Sequence, residues 1–156
     1  MNPLVFAPAT PADVAWLAPR LRAADRREVE AASGLDPAQA LRAGLERSQE
    51  PLVAIEAGRP IAMFGVVPAL PEALVGAPWM LGTDRVAARG LAVARASRPW
   101  LHRIGEGFRL LTNYVHHENE LHIRWLSWLG AEFGERERWG AAGDYFWRFT
   151  IHCGRL

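Results

Sequence analysis

The densest group of chemically competent side chains lies between residues 116 and 122, where His116, His117 and His122 stand with Glu118 and Glu120. Imidazoles and carboxylates together can ligate a metal or move protons near neutral pH. The spacing speaks against a metal. A zinc-binding H-E-x-x-H helix puts its two histidines one turn apart. His117 and His122 are five positions apart, a rotation of about 500° that points them in different directions. The run therefore reads as a polar corner between a strand and a helix, and no metal is expected.

Other candidate acids are Asp25, Glu28 and Asp84. Asp25-Arg26-Arg27-Glu28 has the D-x-x-E form of a capping box, and Asp84 is placed to cap a helix. Arg22 could pair with either Asp25 or Glu28. Glu135, Arg136, Glu137 and Arg138 alternate in sign, which suits a solvated strand or loop edge better than a nucleic-acid patch. The single cysteine, Cys153, can form neither an intrachain disulfide nor a Cys-rich zinc site. It is expected to pack as a small apolar residue near the end of the last strand. All 18 basic residues are Arg, which excludes a catalytic Lys, a Schiff base and a P-loop lysine.

These residues must be positioned by one domain spanning 1–156, for 156 residues with 50% apolar side chains support a single core. With a net charge of +1, nothing in the overall charge draws the chain to nucleic acid or to an anionic membrane. No apolar run approaches the ~18 residues of a spanning helix, and no N-terminal segment has a signal-peptide pattern. A cytoplasmic protein of a reducing compartment is expected.

Leu4-Val5-Phe6-Ala7 reads as a first strand. Thr10-Pro11-Ala12-Asp13 starts a helix whose Val14, Leu17 and Leu21 share one face and which Pro19 divides. A second helix ends at Gly34, and Asp36-Pro37 caps a third, with Leu41 and Leu45 on one face. Leu52–Ile55 and Ile61–Val66 flank Ala57-Gly58-Arg59-Pro60 as a hairpin. Val75–Leu81 is a strand followed by a loop from Gly82. A long helix is expected over about 94–107, burying Trp100, Leu101 and Ile104. Leu110–Val115 is a strand and 119–129 a helix with a Leu121, Trp125, Trp128, Leu129 stripe. Gly130 ends that helix, and two strands follow, the last over Asp144–Ile151. This order predicts an α/β (α+β) fold, a mixed, mostly antiparallel sheet flanked by helices. The consecutive antiparallel strands argue against a Rossmann fold.

Within that order, Asn119 opens the last helix and can cap it, Leu129-Gly130 closes it, and Ala131 follows where Phe is usual. The segment and the element order resemble the acetyl-CoA-dependent N-acetyltransferase superfamily. A narrower resemblance rests on Ala9–Asp13, Leu17–Asp25, Phe64-Gly65-Val66, Pro78–Asp84 and Ile123–Gly130. These segments are similar to the internal virion protein A family of short-tailed phages, itself acetyltransferase-like and found in bacterial genomes as prophage genes.

The resemblance implies acetyl-CoA as cofactor and a small-molecule or protein amine as acceptor. It implies that the strand-4 region, Met80, Leu81, Gly82 and Thr83, holds the pantetheine arm, with Asn119 also on the cofactor side. The helices after strand 1 border the acceptor, making Glu28 the better candidate for the base that deprotonates the amine. Asp84 could do likewise. The superfamily pattern departs at two places. The Gln/Arg-x-x-Gly-x-Gly/Ala phosphate loop is absent from Gly82–Gly90, where Arg85 or Arg89 could contact phosphate instead. Position 126, where many members carry a general-acid Tyr, is Leu. The alternative function is therefore a catalytically degenerate fold acting as a virion or assembly protein, in the host cytoplasm or the virion.

Overall fold

The computed structural model describes residues 2–155. Seven strands form one sheet: β1 (Leu4–Pro8), β2 (Gln49–Glu56), β3 (Arg59–Leu70), β4 (Val75–Gly82), β5 (Leu110–His116), β6 (Glu132–Trp139) and β7 (Asp144–His152). Six α-helices accompany them: α1 (Pro11–Leu17), α2 (Ala23–Ser33), α3 (Pro37–Arg47), α4 (Asp84–Ala88), α5 (Gly90–Gly105) and α6 (Glu120–Trp128). The strand order is β1-β2-β3-β4-β5-β7-β6. Every neighbouring pair is antiparallel except β4 and β5. The mixed, mostly antiparallel sheet expected from the sequence is the one observed.

Local chemistry sets the element ends. Thr10 and Asp13 close a capping box on α1, as Asp36 and Gln39 do on α3. Each pair satisfies two orphan backbone donors. Gly34 (φ 70°) ends α2 in the left-handed region. Ala57 (φ 49°) and Gly58 (φ 75°) make the two-residue turn between β2 and β3, the left-handed pairing that matches strand twist. Each sheet face covers one apolar cluster. Phe64, Trp100, Leu101, Ile104, Leu111 and Phe149 pack under α5 and α6. Val14, Leu17, Leu41, Val53, Met63 and Leu81 pack under α1 to α3.

Four local expectations are corrected. Helix α2 begins at Ala23, so Asp25 and Glu28 lie inside it and cap nothing; their carboxylates are drawn inward by partners described below. Asn119 occupies the N-cap position of α6, but its side chain makes no cap bond. The buried face of α6 is His122, Leu126 and, just past its end, Leu129. Trp128 is turned outward under the Arg98 guanidinium, 4.2 Å from its ring centroid. Finally, the expected loop from Gly82 is the short helix α4, started by Thr83, whose hydroxyl accepts the Arg85 N–H. The long helix α5 then starts at Gly90 and runs through Pro99.

The feature that positions the site is the parting of β4 from β5. They pair only at Val75 with Leu110 and Gly76 with Leu111. Pro78 is the next β4 residue facing β5, since its carbonyl accepts from the Asn113 side chain at 3.0 Å. Proline has no N–H to continue the ladder. Beyond it the strands diverge and leave a wedge in the middle of the sheet.

Candidate active site

The wedge opens into a cleft of ≈ 290 Å³ that joins the two faces of the sheet. Met80, His122, Trp125 and Leu126 line it on the α6 side, and Glu28, Trp79 and Tyr114 on the α2–α3 side. Backbone polarity along β4 follows from period two. The Pro78 carbonyl points to β5. The Gly82 N–H donates to Asp25 Oδ2 at 2.8 Å and its carbonyl accepts from Arg22 N at 2.8 Å, both away from β3. Met80, between them, must turn its own N–H and C=O the same way, into the wedge.

One end of the wedge is closed by a buried polar network. Asp25 is fully buried. Its carboxylate accepts from Arg22 Nη1 (2.7 Å), Gly82 N (2.8 Å) and Asn119 Nδ2 (3.0 Å). His122 Nε2 lies 3.3 Å from the same carboxylate, near enough for charge attraction but out of line for a hydrogen bond. Glu28, one turn along α2, accepts from His116 N (2.8 Å) and Asn119 Nδ2 (3.2 Å) through Oε2. Its Oε1 faces His122 Nδ1 at 3.7 Å. Burial pushes the His122 imidazole down, but the neighbouring Asp25 and Glu28 carboxylates outweigh it, so its pKa is raised. The charged imidazolium is thereby favoured between two carboxylates. His116 is held differently. Its Nδ1 accepts the Glu118 N–H at 3.2 Å, so its proton sits on Nε2, 3.1 Å from Asp144 Oδ2.

Beyond the end of β4, Arg85 and Arg89 share one carboxylate; Arg89 is buried beside it, while the Arg85 side chain stays 56% exposed. Glu56 takes Arg85 through two hydrogen bonds (2.9 and 2.7 Å) and Arg89 through a third (2.7 Å). The Arg85 bonds, then that from Arg89, hold the Glu56 carboxyl at about 2, against an ordinary 4.5. A depressed carboxylate contributes stability that is present above its unfolded value and lost as pH falls through the folded one. Acid unfolding should therefore be flatter between pH 4.5 and about 2 in Glu56→Gln than in the parent chain, read as Tm against pH. Equal slopes would mean the clamp does not couple to folding.

The candidate residues from the sequence are distributed as follows. Glu28, Met80 and Leu81 line the cleft. Gly82 abuts it, with its N–H and carbonyl engaged by Asp25 and Arg22. Thr83 caps α4 and donates its N–H to Ile61 O. Asp84 is exposed in the first turn of α4, outside the cleft lining. Asn119 is buried, with its amide given to Asp25 and Glu28 and its oxygen 3.4 Å from Arg22 Nη1. From the sequence Asp25 is one of the candidate acids and His122 part of the polar corner, but nothing there brings the two together, and Asn113 carries no signal at all. His122 and Asn119 meet α2 across more than ninety positions, and no local pattern signals such a pairing. Cys153 is half-buried just beyond β7 as expected, and burial pushes its thiol up. Among the described residues no group of three or more His, Cys, Asp or Glu could hold a metal ion, and no helix is long and apolar enough to cross a membrane.

No protein-family model matches the chain, and no curated protein sequence does. Solved structures do match. The acetyltransferase of the GNAT family from Streptococcus pneumoniae is similar with a TM-score of 0.66 at 14% identity, over 96% of this chain and 98% of that one. The ribosomal-protein-S18-alanine N-acetyltransferase from Escherichia coli gives 0.67 at 14% identity, over 96% and 94%. A spermidine N-acetyltransferase SpeG chimera from Vibrio cholerae and hSSAT gives 0.71 at 10% identity, over 97% and 96%. At these identities the likeness is one of fold: the chain has the fold of GNAT acetyltransferases. The narrower phage resemblance rests on its sequence segments alone.

Proposed function

We propose that the protein transfers an acetyl group from acetyl-CoA to a primary amine, with Glu28 as the base. The observation that carries this reading is the β4–β5 wedge. It gives one cleft access to both sheet faces, with the Met80 main chain pointing into it and Glu28 lining its other side. The residues present fit the donor. Met80 N–H and C=O are suited to the amide groups and thioester carbonyl of a pantetheine arm, and an N–H aimed at that carbonyl stabilises the oxyanion that develops on it. Helix α5 starts without a side-chain cap, and Gly90 leaves open space above its Cα. On this reading its first N–H groups receive the pyrophosphate, with the exposed Arg85 guanidinium nearby in the preceding helix. Acetyl-CoA supplies the activated acetyl carbon.

The chain's own residues do the rest. Glu28 takes a proton from the acceptor ammonium, while Asn119, the His116 N–H and the His122 imidazolium hold its carboxylate in place. The nitrogen then bonds to the acetyl carbon, the carbon–sulfur bond breaks, and the second nitrogen proton leaves with the thiolate. Holding both reactants in one cleft contributes much of the rate. Leu126 lines the cleft and offers no hydroxyl to the leaving group.

Acetyl-CoA at 1 mM should raise Tm, because a ligand present at about 100 times its Kd stabilises the folded state by about 2.7 kcal/mol. The absence of any shift at that concentration sinks the reading. A second reading is favoured by the Glu56 clamp on Arg85 and Arg89 and by Leu126: a fold without turnover, serving as a phage virion or assembly protein. A shift without thiol release across an amine panel, together with the protein's presence in purified virions, would favour it.

A further inference from the structure

The α2–α3 side of the cleft has a chemistry that narrows the acceptor. The two diverging strands each place a ring there, Trp79 from β4 and Tyr114 from β5. Both rings are held before any ligand arrives. The Trp79 indole N–H donates to Ser48 Oγ at 2.7 Å, and Gly44 lies so close to this ring that a Cβ there would overlap it. Tyr114 stacks on Trp139 with centroids 4.2 Å apart and planes 11° from parallel. The helix residues that border the space, Ala32, Ala40 and Ala43, are small. Such a slot suits a flat apolar body, which gains area burial and ring contacts with little ordering cost in the protein.

Charge narrows it further. Glu28 is the only carboxylate among the lining residues, and it belongs to the network at the His116 end of β5. Arg47 is the only Arg among them. It lies in the last turn of α3, next to the Ser48 that holds Trp79. It is exposed and forms no ion pair among the described residues. The lining thus carries one carboxylate, Glu28 beside His122 and the end of β5, and one guanidinium, Arg47 at the end of α3. A polyamine would bring a second ammonium up to the Arg47 guanidinium, a like-charge approach with no carboxylate of the lining beside it. A carboxylate there would find a charge-assisted donor.

We propose, resting on the acetyltransferase reading above, that the acceptor is an aryl-substituted primary amine. Its amine faces Glu28, its ring lies between Trp79 and Tyr114, and an anionic group at its far end meets Arg47. The transfer balances as above: the nitrogen–carbon bond forms, the carbon–sulfur bond breaks, one proton goes to Glu28 and one leaves with the thiol.

The test uses the full chain with acetyl-CoA, following thiol release with 4-(2-aminoethyl)benzoate, 2-phenylethylamine and spermidine. The expected order of kcat/KM is that order. Arg47→Ala should shrink the ratio between the first two amines by about tenfold, the size of one charge-assisted contact. Ala43→Leu should fill the slot and lower kcat/KM for both aryl amines, while the Tm shift with acetyl-CoA persists. A preference for spermidine overturns the assignment, as does an acetyl-CoA shift with no turnover of either aryl amine. An absent acetyl-CoA shift fails at the earlier step and removes the acetyltransferase reading, and the acceptor assignment with it.

Discussion

Glu28→Gln should slow thiol release from acetyl-CoA by about 10²–10⁴-fold, the range for loss of a positioned general base. The substitution keeps the shape of the site. A Gln oxygen can still accept from His116 N and Asn119 Nδ2, the two donors that Glu28 Oε2 now serves at 2.8 and 3.2 Å. What is lost is the ability to take a proton, together with one of the two negative charges beside His122. The loss should appear in kcat, because the acceptor's body and the acetyl donor are held by other groups. The Tm shift with acetyl-CoA is the control and should remain. A variant that turns over within threefold of the parent chain would remove Glu28 from the role of base. The amine would then have to lose its proton to solvent at the cleft mouth.

Asp25→Ala should destabilise the fold by about 3–5 kcal/mol, the cost of breaking a buried charge pair by removing one partner. The side chain is fully buried and holds four groups at once: Arg22, the Gly82 N–H, Asn119 and the charge of His122. Alanine would leave a guanidinium and an imidazole facing a void, and the Gly82 N–H without an acceptor. That N–H belongs to the end of β4, so the wedge itself should loosen. Urea unfolding followed by tryptophan fluorescence reads the effect as a lower midpoint. A change below 1 kcal/mol would mean that water replaces the carboxylate freely, and that the network is not what closes this end of the cleft.

The two expected results differ in kind although the residues lie one helical turn apart. Asp25 is fully buried and spent on Arg22, Asn119, His122 and the Gly82 N–H, so it acts on stability. Glu28 lines the cleft, so it can meet an acceptor. In the sequence Asp25 and Glu28 read alike, as two halves of a capping box and as two candidate acids, with Glu28 the better candidate for a base. What separates them is not contained in the D-x-x-E spacing. The spacing puts both acids on one helix face, and what faces them comes from β4, β5 and α6.

Features decided within a few residues were legible from the chain alone. Thr10 with Asp13, Asp36 with Gln39, Gly34 and the Ala57-Gly58 turn mark where helices and strands begin and end, because caps and tight turns are made between near neighbours. Alternating apolar runs then supplied enough strands and helices, in the right order, to specify the class of sheet. Other features depended on which distant segment comes to lie alongside. Arg85 and Arg89 look like unpaired phosphate ligands until Glu56 arrives from β2 to share one carboxylate between them. Asn119 looks like a helix cap until α2 offers it two carboxylates. Of the Leu121, Trp125, Trp128, Leu129 stripe, Leu129 is buried and Leu121 and Trp125 pack against the core, but Trp128 turns outward and His122 and Leu126 take the centre of the face. In the first two cases a long-range partner displaces a local one, because a buried polar or charged group must find its partner wherever the fold provides it. Pro78 joins the two levels. Its missing N–H is written in the sequence, but it opens a cleft only because β5 is the strand that lies beside it.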